Sequence, residues 1–172
     1  MKKIVIISIL TIQAFTIAYS QHVIEDLYVH YRENIFYLRM PISEVRRLLG
    51  NPVEEEKIIR EHYHRPNYFI IKYPGIEFTY FDFSHRPEIV PTVLVITFKK
   101  PYQLGNLNFI GRNKNEILEH YGTPDSVEEQ GEYKYFNYVF NLQMPHHLVL
   151  QYRFNSLSIC DEVSVIHSNF YI

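Results

Sequence analysis

Hydrophobic residues recur at helical spacing in two short stretches of the chain. Residues 42 to 49 place four aliphatic side chains on one face, and Gly50 follows, which can take the left-handed backbone conformation that ends a helix. Residues 113 to 121 repeat this pattern, with Asn113 placed to cap the first turn and Gly122 to end the last. Each predicted helix is too short to be stable without a surface to pack on.

Runs rich in aromatic and β-branched residues follow each helix. After the first helix they read EKIIREHY, NYFIIKY, IEFTYFDF and TVLVITFKK, and after the second they read VEEQ, EYKYFNYVFNL, HLVLQYRF and DEVSVIHSNF. Proline, glycine and asparagine separate these runs, as they commonly separate strands. Strands joined by such short turns pair as antiparallel neighbours, because a parallel crossover needs about a dozen residues or more.

The two helix-plus-strand stretches align with each other. An offset of 72 residues superposes Gly50 on Gly122 and three further identical pairs. These pairs are Glu44 with Glu116, Pro52 with Pro124, and Glu56 with Glu128. The chain is therefore predicted to have an α+β fold of two tandem modules, each a short helical segment packed on a three- to four-stranded antiparallel meander. The predicted boundaries are residues 21–104 for the first module and 105–172 for the second.

The residues around the second helix carry a family resemblance. The stretch IGRNKNEILEHYGTPDSVEE, residues 110–129, resembles the opening of the BamE/SmpA-like module of bacterial envelope proteins, where a glycine, a helix and a Gly-x-Pro sequence precede a small sheet. The matching positions are Gly111, Glu116, Ile117, Gly122 and Pro124, and in the first copy Glu44, Val45, Gly50 and Pro52. The tandem arrangement is similar to the β-lactamase inhibitor protein fold, whose two modules place their sheets side by side. These resemblances imply a bacterial envelope protein with an inhibitor-like or assembly role.

Residues 1–20 have the pattern of a signal peptide. Two lysines precede a short apolar run, and Ala18-Tyr19-Ser20 offers a small-x-small cleavage site ahead of Gln21. An uncleaved anchor or a buried helix is the alternative. Cleavage predicts a periplasmic or secreted protein with no stable membrane span.

Charge and cysteine content narrow the classes of partner. The chain has 17 lysine and arginine residues against 19 aspartate and glutamate residues, a formal net charge of −2, so no basic footprint for nucleic acid or an anionic membrane is visible. Cys160 is the only cysteine, so an intramolecular disulfide is excluded and stability rests on the hydrophobic core. The predicted partner is another protein, in the periplasm or outside the cell.

Enzymatic and metal-binding patterns are weak. The chain has no nucleophile-elbow, phosphate-loop or zinc-protease motif and only 6 glycines, so no catalytic residue and no cofactor are predicted, although an unrecognised hydrolase stays open. His62 and His64 would point the same way on a strand and are weak metal candidates. A zinc site needs about three or four converging ligands, and exposed histidines beside a turn are the alternative.

Aromatic residues occupy both faces of the predicted sheets. With 15 tyrosines and 12 phenylalanines, the chain has more aromatic surface than a one-sided sheet needs. In the second module, Phe136, Tyr138 and Phe140 already form an apolar stripe for the helix, which leaves the alternate residues for a binding site on the other face. A tyrosine-rich core between two layers is the alternative. The predicted binding residues are Tyr133, Tyr135 and Asn137 in the second module, and Phe81 and Phe83 in the first.

These features predict an exported, non-enzymatic protein-binding module, inhibitor-like or partner-sequestering, that acts through a tyrosine-rich sheet face. The alternative is an accessory protein of cell-envelope or outer-membrane assembly, and an unrecognised hydrolase is the third.

Signal-peptide cleavage leads to a direct test. We expect protein recovered from the cell envelope or the medium to begin at or near Gln21, because the cleavage site precedes that residue. Intact-mass spectrometry measures the N-terminus. A protein that still carries Met1 would contradict the cleavage.

Overall fold

The computed structural model describes residues 29–60, 66–99, 103–104, 108–141 and 147–167. The predicted signal peptide at residues 1–20, its cleavage site, and the weak metal candidates His62 and His64 lie outside these ranges. Within the ranges, no helix has both the length and the apolar character that crossing a membrane requires.

Over these residues the chain forms eleven strands and two helices. The strands are β1 (Val29–Tyr31), β2 (Asn34–Phe36), β3 (Glu54–Ile58), β4 (Tyr68–Tyr73), β5 (Ile76–Phe81), β6 (Val95–Phe98), β7 (Gln103–Leu104), β8 (Ser126–Gln130), β9 (Tyr133–Asn141), β10 (His147–Phe154) and β11 (Cys160–His167). The helices are α1 (Ile42–Leu49) and α2 (Lys114–Tyr121).

Eight strands form one sheet in the order β3-β4-β5-β6-β11-β10-β9-β8, and every neighbouring pair is antiparallel. The first half of the chain, residues 29–99, supplies the first four strands of this order, and the second half, residues 108–167, supplies the other four. The last strands of the two halves, β6 and β11, pair at the centre. The outer strands β3 and β8 are exposed along almost their whole length, and they carry three and two glutamates. A small sheet of order β2-β1-β7 completes the fold.

The predicted fold class is wrong. The described chain is mostly β, with one continuous eight-stranded sheet and two helices of 8 residues each, and it does not form two separate α+β modules with a helix packed on its own meander. The two helices do form where the apolar spacing predicts them, and the strands are antiparallel as the short turns predict. The error arises at β6 and β11, because their pairing carries the hydrogen-bond ladder from one half into the other.

Both helices end in the same way and are tied to the sheet by the same kind of contact. Gly50 and Gly122 each have a φ of 77°, in the region that favours glycine. The Tyr73 hydroxyl donates to the Gly50 carbonyl at 2.9 Å, and the Tyr138 hydroxyl donates to the Gly122 carbonyl at 3.0 Å. The carbonyl at each helix end is therefore satisfied by a tyrosine from the sheet beneath it.

The main core lies between one face of the large sheet, called here the helix face, and the elements that cover it. Val45 of α1 and Ile117 of α2 are fully buried there with Phe78 and Tyr152 of the sheet. Phe36 of β2 joins the same cluster, with its ring centroid 5.1 Å from that of Phe78. Both helices and the small sheet therefore pack on the helix face.

Alternate residues of the same strands form the opposite surface, called here the distal face. The register places on it side chains from every strand of the large sheet. They include Glu54, Lys72, Glu77, Thr97, Ser164, Gln151, Arg153, Asn137, Tyr135 and Ser126.

The backbone at Gly122 leads to a stability test. A Cβ atom at this position would meet no heavy atom within 4 Å, so any cost of Gly122→Ala comes from the backbone conformation alone. We expect a loss of about 1 kcal/mol or more in the free energy of unfolding, measured by chemical denaturation. Thr123→Ala, at the exposed next residue, is the control. Equal stability of the two variants would contradict a strained helix end.

Candidate functional site

The structure places four of the five predicted binding residues on the distal face. Tyr133, Tyr135 and Asn137 alternate along β9 with residues of the helix-face core, and Phe81 ends β5 on the same side. Phe83 follows β5, and its ring lies edge-on to that of Phe81 with centroids 6.0 Å apart. The alternation of the sequence therefore predicts the facing of the β9 residues.

These residues do not form a single site. Strands β6, β11 and β10 separate β5 from β9, which puts the two groups about 19 Å apart across the sheet at the usual strand spacing. The register adds a second displacement. Glu77 of β5 and Asn137 of β9 lie at the same level, because directly paired residues link them across the sheet. Phe81 lies four residues to one side of this level and Tyr135 two residues to the other, so the two side chains are also about 20 Å apart along the strands.

Phe81 packs against a second hydrophobic cluster on the distal face. Leu94, Val95 and Ile166 are between 5% and 7% exposed there, and Phe81 and Val149 pack against them. The alternation pattern predicts that aromatic residues on this face have no core to pack against, but Phe81 does have one. Partner binding at Phe81 and Phe83 stays a prediction.

A hydrogen-bonded polar row crosses the middle of the distal face. The Thr97 and Ser164 hydroxyls lie 2.8 Å apart at the junction of the two halves. Further along the row, the Gln151 amide donates to Asn137 Oδ1 at 2.9 Å. Asn137 Nδ2 in turn donates to Ser126 Oγ at 3.0 Å and to Glu128 Oε1 at 2.9 Å. Asn137 is only 4% exposed, and both the oxygen and the nitrogen of its side-chain amide already form hydrogen bonds. It therefore stabilises the surface and has little accessible area for contact with a partner.

A charged network lies beside this row. Arg153 donates from Nε to Asp161 at 2.8 Å and pairs through Nη1 with Glu162 at 3.0 Å. Lys99 lies 3.6 Å from Glu162 and 3.0 Å from Glu77. Burial raises the pKa of Glu162, and the positive charges of Arg153 and Lys99 partly oppose that rise. Glu162 is thus a half-buried carboxylate whose ionised form depends on two cations.

Tyr133 and Tyr135, two residues apart on β9, both neighbour Arg153 of β10. The guanidinium carbon of Arg153 is 4.7 Å from the Tyr133 ring centroid, which is a cation–π contact. Tyr135 is the direct cross-strand partner of Arg153 on β9. We call Tyr133, Arg153 and Tyr135 the tyrosine–arginine strip. Two carboxylates hold its central guanidinium, so both rings stand beside a side chain with little freedom to move.

No pattern in the sequence marks Arg153 or Glu162 as part of a site. Both follow strand periodicity, but only the pairing of β9 with β10 and of β10 with β11 brings them beside Tyr135. An arginine at an alternate position of a tyrosine-rich hairpin was the available signal. It could not be read without the register.

A cleft of 310 Å³ opens next to the strip. It lies between the turn from β8 to β9, the turn from β10 to β11, and the first residue of α2, Lys114. Tyr133 belongs to both the strip and the wall of the cleft.

Over the residues that the structure describes, Cys160 is not activated and no cluster of metal ligands is found. Burial raises the pKa of the Cys160 thiol to about 12, which disfavours the nucleophilic thiolate. In the ranges given above, no three histidine, cysteine, aspartate or glutamate side chains converge closely enough to hold a metal ion.

Comparisons of the chain with models of known families, with curated proteins and with solved structures find no match. The resemblance to BamE/SmpA-like modules and to the β-lactamase inhibitor protein arrangement stays a prediction that rests on the residues quoted for it.

The charged network leads to a pH test. In the Arg153→Gln variant we expect the pKa of Glu162 to rise further, because the nearest positive charge that favours its ionised form is lost. Carboxyl ¹³C NMR over a pH series measures the pKa in both proteins. Arg112→Gln, which removes a cation that pairs with Glu116 on α2, is the control and leaves the pKa of Glu162 in place. A pKa of Glu162 that does not change in Arg153→Gln would contradict the coupling.

Proposed function

We propose that this chain is an exported, non-enzymatic protein-binding module that inhibits or sequesters another protein, and that the tyrosine–arginine strip is the centre of its binding surface. The observation that carries the proposal is the placement of Tyr133 and Tyr135 next to an arginine that two carboxylates hold. Tyrosine and arginine dominate the energetics of protein interfaces, and a held side chain loses little entropy on binding.

The size of the distal face supports a protein partner. Eight strands at a spacing of about 4.8 Å, with about six residues each, give a face of roughly 34 by 20 Å, or about 700 Å². A standard interface takes about 800 Å² from each partner. The helices and the small sheet pack on the other face, so a partner could reach the strip without displacing them.

The mixture of side chains also supports this role. The strip lies between the hydrogen-bonded polar row and the cleft, and the small apolar cluster around Val95 lies beyond the row. The partly exposed tyrosines and arginine of the strip have the mixed aromatic and polar character of non-obligate interfaces, whereas the cluster around Val95 is buried and adds little contact surface. The export of the protein rests on the signal-peptide pattern of residues 1–20 and places the partner in the periplasm or outside the cell.

The strip leads to a binding test once cross-linking in envelope extract has supplied a partner for purification. We expect Tyr135→Ala to weaken binding by about 2 kcal/mol, roughly thirtyfold, because truncating a central interface tyrosine removes a large contact. Calorimetry on the purified pair measures affinity, and thermal unfolding measures stability.

Tyr37→Ala is the matched control, since Tyr37 is 42% exposed and follows β2, a strand of the small sheet that packs on the helix face. We expect its affinity to equal that of the wild type. If Tyr135→Ala instead lowers the melting temperature and leaves the affinity per folded molecule unchanged, Tyr135 belongs to the packing of the sheet and the proposed surface is wrong.

A further inference from the structure

Three hydrogen-bond donors line the cleft and are not used by any residue that the structure describes. They are Lys114 Nζ and the hydroxyls of Ser156 and Ser158. Lys114 and Ser158 use their backbone groups within the chain, since Lys114 N donates to the Ser158 carbonyl at 3.1 Å. Their side chains remain available to a ligand.

The turn that carries the two serines is held in place by its own side chain. Asn155 Oδ1 accepts from Leu157 N at 3.0 Å and from Ile159 N at 3.1 Å. Ser158 has a φ of 60°, an uncommon conformation for a residue other than glycine. These contacts fix the backbone from which the serine hydroxyls project, so the donors are positioned before any ligand arrives.

The formal charges that line the cleft balance, and Lys114 is the cation among them that no carboxylate of the described chain neutralises. Two lysines and two glutamates line it, but Lys134 pairs with Glu129 at 3.0 Å, and Glu132 lies exposed on the turn from β8 to β9. Lys114 is left as a half-buried cation without an ion pair in the described chain. It also occupies the first position of α2, where the helix dipole adds positive potential and where acidic residues are usually preferred.

Two of the remaining lining residues are aromatic. Tyr133 lines one side, and the fully buried Phe154 lies at the base. The volume of 310 Å³ is at the lower end of the range of about 300 to 1,000 Å³ that is typical of small-ligand sites. A charged end that meets three donors, joined to a short carbon chain beside the Tyr133 ring, fits this lining.

We propose that the cleft binds a carboxylate carried by a peptide, with Lys114 as the charged contact and the hydroxyls of Ser156 and Ser158 as the neutral donors. The carboxylate can come from an acidic side chain or from a peptide C-terminus, since both offer the same two oxygen acceptors. This site goes beyond the proposed partner surface and does not depend on it, although the two share Tyr133.

Titration of the full chain with small peptides tests the site. The probes are acetyl-Ala-Asp-amide, which has a side-chain carboxylate, acetyl-Ala-Ala with a free C-terminus, and the neutral acetyl-Ala-Asn-amide. We expect at least one carboxylate probe to shift the backbone amide resonances of Lys114, Ser156 and Ser158 in ¹⁵N NMR spectra. The neutral probe leaves these resonances in place. The carboxylate probe that shifts them is the source that the cleft accepts.

Two lysine variants separate a specific contact from general attraction. We expect Lys114→Met to lower the affinity for the carboxylate probe by about tenfold or more, because a charge-assisted hydrogen bond usually contributes that much to binding. Lys134→Met removes a lysine of the same cleft that pairs with Glu129 and has no contact with the ligand in this proposal, so we expect a clearly smaller loss of affinity, caused by the unpaired charge of Glu129 alone. The spectra also report directly whether each variant is folded.

Three results would overturn the carboxylate site: equal binding of the neutral probe, equal losses in the two lysine variants, or no shift at these residues with either carboxylate probe. None of them bears on the tyrosine–arginine strip, because the test of the strip uses Tyr135 and a protein partner. The failure of one proposal is therefore distinguishable from the failure of the other.

Discussion

The pairing of β6 with β11 is the interaction on which the rest of the molecule depends. Four residue pairs, from Phe98 with Val163 to Val95 with Ile166, join the two halves into one sheet. On the helix face this ladder presents Ile96 and Val165 to a shared core, and on the distal face it presents the hydrogen-bonded hydroxyls of Thr97 and Ser164. Without it, each half would expose a central strand edge and lose part of its core.

The two halves repeat the same contact between helix and sheet on either side of this junction. In each half, the second strand after the helix carries a tyrosine whose hydroxyl donates a hydrogen bond to the carbonyl of the glycine that ends the helix. Beyond these contacts the halves differ. The first half uses Arg46 of α1 to bind Glu55 of β3 at 2.8 Å, and Glu55 also accepts from the buried Tyr80 hydroxyl at 3.0 Å. The second half has the tyrosine–arginine strip and the cleft, so the surfaces suited to ligands are concentrated there.

Local features of the fold were readable from the sequence, and distant ones were not. Gly50, Gly122 and Asn113 mark helix ends through conformations and caps that depend on neighbouring residues alone, and the capping box at Asn113 forms as predicted. The continuous sheet was missed because Thr97 and Ser164 meet across 67 residues of chain, and no short pattern encodes which strand edges will join.

The same limit applies to the candidate site. Period-two alternation predicted that Tyr133 and Tyr135 face away from Phe136 and Tyr138, and the structure agrees. Alternation says nothing about neighbours on other strands, so it could not place Arg153 beside the two tyrosines. Alternation also could not show that Phe81 lies far from the two tyrosines, or that Phe81 packs against a buried apolar cluster on the same face.

The acidic outer strands have a consequence for how many molecules can join. A sheet with two open edges can recruit further copies strand by strand, which is the route to aggregates. Here β3 and β8 present glutamates along both edges, so two copies brought together at like edges would place carboxylate opposite carboxylate. The ladder that is favourable at the centre of the sheet is thereby disfavoured between like edges of two copies.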